Sequence, residues 1–295
     1  KGWEFRVDAV PFENRDWRVG FYFNIAHNEN KITEMPDNYT EENYTFNNGE
    51  YAYRREEGRP MGSFYGYRYK GVYQNKDATY ARDIEGNVMK DISGNAIVMR
   101  NGTATIAPGD ALYEDINHDG VINQYDIVYL GNSNPRFTGG AGVNVSYKQF
   151  KLSAIFYGRY GQDVVNSTRL NNESMRGIDN QSTAVLRRWR NEGDQTDIPR
   201  ALYGEGYNTL GSDRFVEDAS YLRLKSLSFN YRLPKKIIQR WGFSNIDVYV
   251  TGYNLFTWTK YTGQDPEVKT ENTYARDSAT TPASIQLVAG FNLSF

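Results

Sequence analysis

Hydrophobic and polar residues alternate with a period of two in seven stretches of this chain. In GWEFRVDAV, Trp3, Phe5, Val7 and Ala9 fall on one face, and Glu4, Arg6 and Asp8 on the other. WRVGFYFNIA sets Trp17, Val19, Phe21, Phe23 and Ile25 against Arg18, Gly20, Tyr22 and Asn24. GGAGVNVSY (139–147) and FKLSAIFYG (150–158) repeat the pattern, with Val143, Val145, Leu152 and Phe156 opposed to Asn144, Ser146, Lys151 and Ser153. LSFNYRLP (227–234), NIDVYVTGYNLFTW (245–258) and ASIQLVAGFNLSF (283–295) complete the set, and in the last only Val288 breaks it. Two residues is the strand period. Each stretch is near or beyond the ~9–11 tilted residues that carry a strand across a bilayer.

The connections alternate in length as well. Those at 11–16, 148–149 and 234–244 are short, whereas 27–136, 160–219 and 259–282 are long and polar. Compact domains seldom hold loops beyond ~12–15 residues, while outer-membrane barrels join short periplasmic turns to long extracellular loops. The predicted fold class is therefore all-β, the wall of a transmembrane antiparallel β-barrel with long extracellular loops. A hydrophobic content of 39% and a mean hydropathy of -0.71 suit such a wall. Lipid touches only one face of each strand, and the closed sheet pairs every backbone group. Trp17, Tyr147 and Tyr231, beside short turns, are candidates for an interfacial aromatic girdle. The last strand, ending in Phe295, is expected to pair with the first strand of the same barrel and so remove both edges. Its end would lie in the periplasmic interface. KGWEFRVDAV starts inside an alternating segment without a charged-then-apolar leader, so a piece of a longer chain is expected.

Other chemistry is sparse. With 34 Lys+Arg against 36 Asp+Glu the chain lacks the basic excess that binds nucleic acid. It has no Cys, which removes disulfides, zinc–thiolate sites and thiol catalysis. No apolar run approaches the ~20 residues of a spanning helix. His27 and His118 are the only histidines, and no Ser occupies a nucleophile elbow, so no enzyme is expected. RREEGR at 54–59 reads as a solvated loop face.

One local motif stands out. DINHDGVINQYD (115–126) has the spacing of a twelve-residue calcium loop. Asp115, Asn117 and Asp119 occupy positions 1, 3 and 5, Gly120 position 6, and Val121 offers its carbonyl at 7. Asn123 stands at 9 and Asp126 at 12, where a bidentate Glu is usual and the shorter Asp arm weakens binding. Ile122 is the apolar residue expected to anchor inward. No helical pattern flanks the loop, so it would be an extracellular loop grafted on a β scaffold. With every protein ligand position occupied and no general base at hand, its Ca²⁺ would be structural. The alternative is a polar turn without metal.

GSFYGYRYKGVYQN (62–75) and PGDALYEDINHDGVINQYDIVYLGNSNPRFTGG (108–140) resemble segments of SusC/RagA-like TonB-dependent outer-membrane transporters of Bacteroidota. RRWRNEGDQTDIPRALYG (187–204), FVEDASYLRLKSLSFNYRLPKKI (215–237) and VYVTGYNLFTWTKYTGQDPEV (248–268) follow in the family's order. The resemblance spans the whole chain. It implies a plugged barrel of about 22 strands, of which these seven would be the C-terminal third. It also implies a roof formed by a SusD-like lipoprotein, and import of oligosaccharides or peptides powered by the TonB complex through an N-terminal region outside this sequence. A terminal Phe strand likewise resembles the signal read by outer-membrane assembly machinery. Two other readings share parts of the pattern: a passive porin, and a soluble calcium-dependent glycan-binding β module.

Overall fold

All seven alternating stretches are strands of one sheet. They are β1 (Gly2–Glu13), β2 (Trp17–Asn28), β3 (Phe137–Tyr147), β4 (Phe150–Tyr160), β5 (Tyr221–Arg232), β6 (Asn245–Thr259) and β7 (Gln286–Ser294). The computed structural model describes residues 1–36, 50–52, 54–268, 270–271 and 274–295. The strands follow one another in chain order, and every neighbouring pair is antiparallel.

The register aligns the alternation of one strand with that of the next. Trp17, Tyr147, Phe150, Tyr231, Val248 and Phe291 form one continuous row across β2–β7. Val19, Val145, Leu152, Phe229, Val250 and Ala289 form another on the same face. Next to the second row, on the opposite face, runs the row of Gly20, Asn144, Ser153, Ser228, Thr251 and Val288. Val288, out of pattern in the sequence, is thus an apolar residue on the polar side, paired with Thr251. Hydroxyls stitch this side together: Ser153 Oγ donates to Asn144 Oδ1 at 2.8 Å, and Ser228 and Thr251 hydroxyls lie 2.8 Å apart.

Among the described residues nothing covers the apolar face. Leu152 is 43% exposed, Val250 49% and Leu287 75%. In water so wide an apolar surface would demand a partner; in a bilayer it is the wall. An 11-residue strand rising about 3.3 Å per residue at a tilt of about 40° covers about 28 Å, close to the apolar band of such barrels. Aromatic pairs mark the short-turn end, with Trp17 and Tyr147 ring centroids 4.3 Å apart and Phe150 and Tyr231 4.7 Å apart.

The short connections close by local chemistry. Asn14 Oδ1 accepts from the Asp16 and Trp17 amides at 2.9 and 2.8 Å, an Asx turn. Lys148, at φ 51, opens the two-residue link of β3 and β4, and its amide donates to the Asp16 carbonyl. Between β5 and β6, a short helix at Lys235–Ile238 leads into a single turn that ends at Gly242, φ 78.

Strand limits differ from the sequence expectation where bulges interrupt strict alternation. β1 continues through Pro11 to Glu13, because its register slips between Ala9 and Phe12. A residue without an N–H is tolerated at such a bulge. β5 begins at Tyr221 rather than Leu227, since Lys225 is left unpaired against both neighbours. β6 answers with its own irregularity between Tyr253 and Phe256, where Asn254 takes φ 53.

Because Leu287 lies on the apolar face and Ser153 on the polar one, Leu287→Arg should lower barrel stability by about 2–4 kcal/mol, as charges near a bilayer midplane do. Ser153→Arg should assemble nearly normally. Heat-modifiable gel mobility of the assembled protein measures both, and equal behaviour would reverse the faces.

Candidate functional site

In their described residues the long connections are folded rather than slack. In the first, Ser63–Gly66 pairs with Val128–Asn132, Tyr69–Val72 pairs with Ala111–Tyr113, and Arg100–Asn101 lies between Ala104–Thr105 and Val121–Ile122. Their side chains build a small core that includes Tyr67, Tyr73, Met99, Tyr113 and Ile122. Ile122, 2% exposed, is the inward anchor its motif position suggested. Burial raises the phenol of Tyr67 to about 12, so it stays neutral in this core.

The second long connection is bolted to the first around Asp110, which is fully buried. Arg200 Nε donates to its Oδ1 at 2.7 Å, Asn208 Nδ2 to Oδ1 at 3.2 Å and Tyr207 Oη to Oδ2 at 3.4 Å. Removing one partner of a buried ion pair leaves an uncompensated charge, which makes this a strong clasp. Beside it, Gly109 at φ 89 lies under Trp189, whose ring would meet an added Cβ at 2.3 Å. Leu210 completes the core of the first connection.

The third connection joins through Ala275, whose amide donates to Ser133 Oγ at 2.6 Å. Tyr274–Asp277 runs parallel to Asp163–Asn166. All three connections therefore form one body at the long-connection end of the sheet.

A second clasp lies on the polar face. Arg223 of β5 is 2% exposed. Its guanidinium donates to Thr257 Oγ1 at 2.8 Å, to Glu267 Oε2 at 2.8 Å and to Asp265, while Lys225 Nζ shares Glu267 Oε2 at 2.7 Å. The third connection is thus pinned to the polar side of the wall. Burial raises the Asp265 carboxyl, but the Ala283 amide and Arg223 outweigh it and hold the group below the usual carboxylate range. Nothing in the period-two reading singled out Arg200, Asp110, Arg223, Asp265 or Glu267. The one available signal was a pair of charges, Arg223 and Lys225, inside an otherwise apolar-alternating strand.

The calcium-like loop has the expected turn and a distinct donor arrangement. His118 at φ 55 and Gly120 at φ 81 wrap the chain tightly. Asp115 accepts from the Gly120 amide at 2.8 Å and the Asp119 amide at 3.3 Å, Asn117 Oδ1 accepts from Asp119 at 3.2 Å, and Asp119 accepts from Val121 at 2.8 Å. The Val121 carbonyl receives Asn123 Nδ2 at 3.1 Å. Asp126 is set apart: it is fully buried, and its two oxygens accept from Ile116 and Asn123, each at 2.8 Å. Burial raises its carboxyl above the usual range; those two amides lower it, and Asp115 and Asp119 push it up again. Among the described residues no three His, Cys, Asp or Glu side chains gather in a metal-holding group. The oxygen donors fit a hard cation by type, each retaining lone-pair capacity, while in this geometry they cap backbone amides.

The Arg223 clasp yields a test. Arg223→Ala should free 260–285 to limited proteolysis several-fold faster without changing barrel assembly, and Arg223→Lys should fall between. Since the folded Asp265 value is depressed, its contribution is complete above the ordinary value of about 3.9. Acidification below that value should progressively release the same segment, whereas unchanged cleavage in the alanine variant would remove the clasp from the account.

Comparison with known proteins follows the geometry. No protein-family model matches the chain. TonB-dependent receptor P3 of Formosa agariphila is 33% identical over 282 residues, 92% of this chain and 25% of that protein. TonB-dependent receptor SusC of Bacteroides thetaiotaomicron is 25% identical over 304 residues, all of this chain and 26% of the relative. The chain thus spans about a quarter of the length of these relatives. Among solved structures, the RagAB peptide transporter superposes with a TM-score of 0.73 at 25% identity, covering 100% of this chain and 29% of the other. In sequence and in fold, this chain is a segment of the SusC/RagA-like TonB-dependent outer-membrane receptors.

Proposed function

We propose that the chain supplies seven wall strands and a folded outer-loop body to a barrel that imports oligosaccharides or peptides. A SusD-like lipoprotein roofs it, and the TonB complex of the inner membrane drives it. The observation that carries this reading is the coverage of the likeness to a peptide transporter, which runs through the loops as well as the wall. A passive pore needs only the wall. The hydroxyl and amide row of Asn144, Ser153, Ser228 and Thr251 is a neutral hydrogen-bonding surface suited to sugars and peptides alike. The contact with TonB would lie in the part of the relatives that this chain does not span.

The test is uptake by cells carrying the complete transporter. Accumulation of a labelled oligosaccharide or peptide should vanish when the TonB complex is deleted, with the barrel still present in the outer membrane. Uptake that persists at an unchanged rate contradicts energised import and identifies a passive pore.

We also propose that Asp115, Asn117, Asp119, Asn123 and Asp126, with the Val121 carbonyl, hold a structural Ca²⁺. The support is the calcium-loop spacing of oxygen donors along a tight turn, with the Asp115 and Asp119 charges each raising the Asp126 carboxyl, an effect that a divalent cation reverses. The ion would stiffen the loop body without chemical work. Chelation, or Asp119→Ala, should speed proteolysis within 100–130 and weaken cargo capture while barrel assembly stays intact. Identical protease patterns with calcium and with chelator would contradict it.

A further inference from the structure

We propose that the apolar face carries a specific lipid site at the long-connection end of the wall. Its occupant would be an acylated amphiphile of the surrounding leaflet whose head group bears a phosphate and an ammonium. The inference rests on the membrane placement proposed above and goes beyond it.

The site begins as a trough in the wall. Gly139 and Gly158 stand directly opposite one another in β3 and β4. A Cβ on Gly139 would lie 2.5 Å from the Asn24 carbonyl oxygen, and one on Gly158 2.7 Å from that of Tyr221. Bare backbone is therefore the floor, and glycine within a strand marks such a close approach. Phe23, Phe156, Leu222 and Trp258 rise around it, with Phe137 and Tyr160 at the upper end, enclosing about 680 Å³. From Ala141 to Phe137 the trough runs about 13 Å along the strand. Its walls are mainly apolar, with Arg159, Asp218 and Lys260 also on its lining. Its width is that of two strands, a shape for an extended acyl chain rather than a flat bilayer contact.

A second cavity, about 670 Å³ and far more polar in its lining than the first, continues from it and shares Tyr160 and Asp218 with it. Lys31 and Arg136 line it, and neither is ion-paired among the described residues. Asp163, Asp218 and the exposed Glu29 line it too. Asp163 accepts from the Asn132 amide at 3.0 Å and Asp218 from the Ser220 amide at 2.8 Å, which leaves further lone pairs on both. Cations and carboxylates facing one cavity complement a head group of mixed charge. A purely anionic head would meet three carboxylates. Apolar trough and mixed-charge cavity thus stack in the order that a membrane lipid presents its own parts.

The experiment uses the complete transporter in phosphatidylcholine bilayers doped with phosphatidylethanolamine that carries a photoreactive acyl chain. Cross-links should concentrate on Phe137–Ala141 and Phe156–Tyr160, several-fold above the equally lipid-facing Val143, Val145 and Leu152. Unlabelled phosphatidylethanolamine should compete better than phosphatidylglycerol. Ala141→Trp, which fills the trough, should abolish the excess, with Ala141→Leu as a milder filling. Lys31→Gln combined with Arg136→Gln should reduce it several-fold. Heat-modifiable mobility of each variant confirms a closed barrel. Labelling spread evenly along β3 and β4, or unchanged in these variants, overturns the lipid site alone. No labelling on any apolar row overturns the membrane placement, and the site with it.

Discussion

Everything in this chain depends on the backbone hydrogen bond in a solvent that cannot replace it. Inside hydrocarbon an unpaired N–H or C=O costs several kcal/mol, so each strand must be paired along both sides. β2 to β6 satisfy this within the chain; β1 and β7 are paired on one side only. Their free edges call for further strands of the same wall, and the relatives are about four times as long as this chain. Once pairing is fixed, side-chain alternation follows, and the register turns seven separate alternations into continuous rows. The apolar rows need no core because lipid serves as their partner. That is how a chain only 39% hydrophobic forms an extended, well-ordered sheet.

The loop body obeys the opposite rule. It lies beyond the wall, where burial must come from the protein itself, and so it has small cores of Tyr, Phe and aliphatic residues. Two clasps connect it. Asp110 with Arg200 joins the first and second connections, and Arg223 with Asp265 and Glu267 ties the third to the polar side of the wall. Both set charged groups in places where loss of one partner strands the other. Movement of the third connection relative to the wall would have to break the Arg223 clasp, and movement of the first connection past the second the Asp110 clasp.

The wall was legible in the sequence because a period of two is strong and local. All seven strands, the alternation of short and long connections and the faces of Val143, Leu152 and Leu287 could be read directly. What failed were boundaries, and in β1 and β5 they failed at bulges: Lys225 shifts β5 by one residue, so Leu222 and Leu224 fall out of step with Leu227. The loop body was far less legible. Asp110 and Arg200 are 90 residues apart, and no local pattern foretells their meeting. The calcium-like motif was visible as spacing, and its tight turn is present. The burial of Asp126 against the Ile116 and Asn123 amides arises from packing that spacing does not encode.

Accessibility of single spin labels along β4, in the complete transporter within a bilayer, tests the account most directly. Labels at positions 150, 152, 154, 156, 158 and 160 should collide freely with dissolved oxygen, which concentrates in hydrocarbon. Those at 151, 153, 155, 157 and 159 should instead favour a water-soluble nickel chelate, giving an alternation with a period of two across the whole strand. A profile with no such period, or with the odd positions richer in oxygen, would contradict the placement of these strands as a lipid-facing wall.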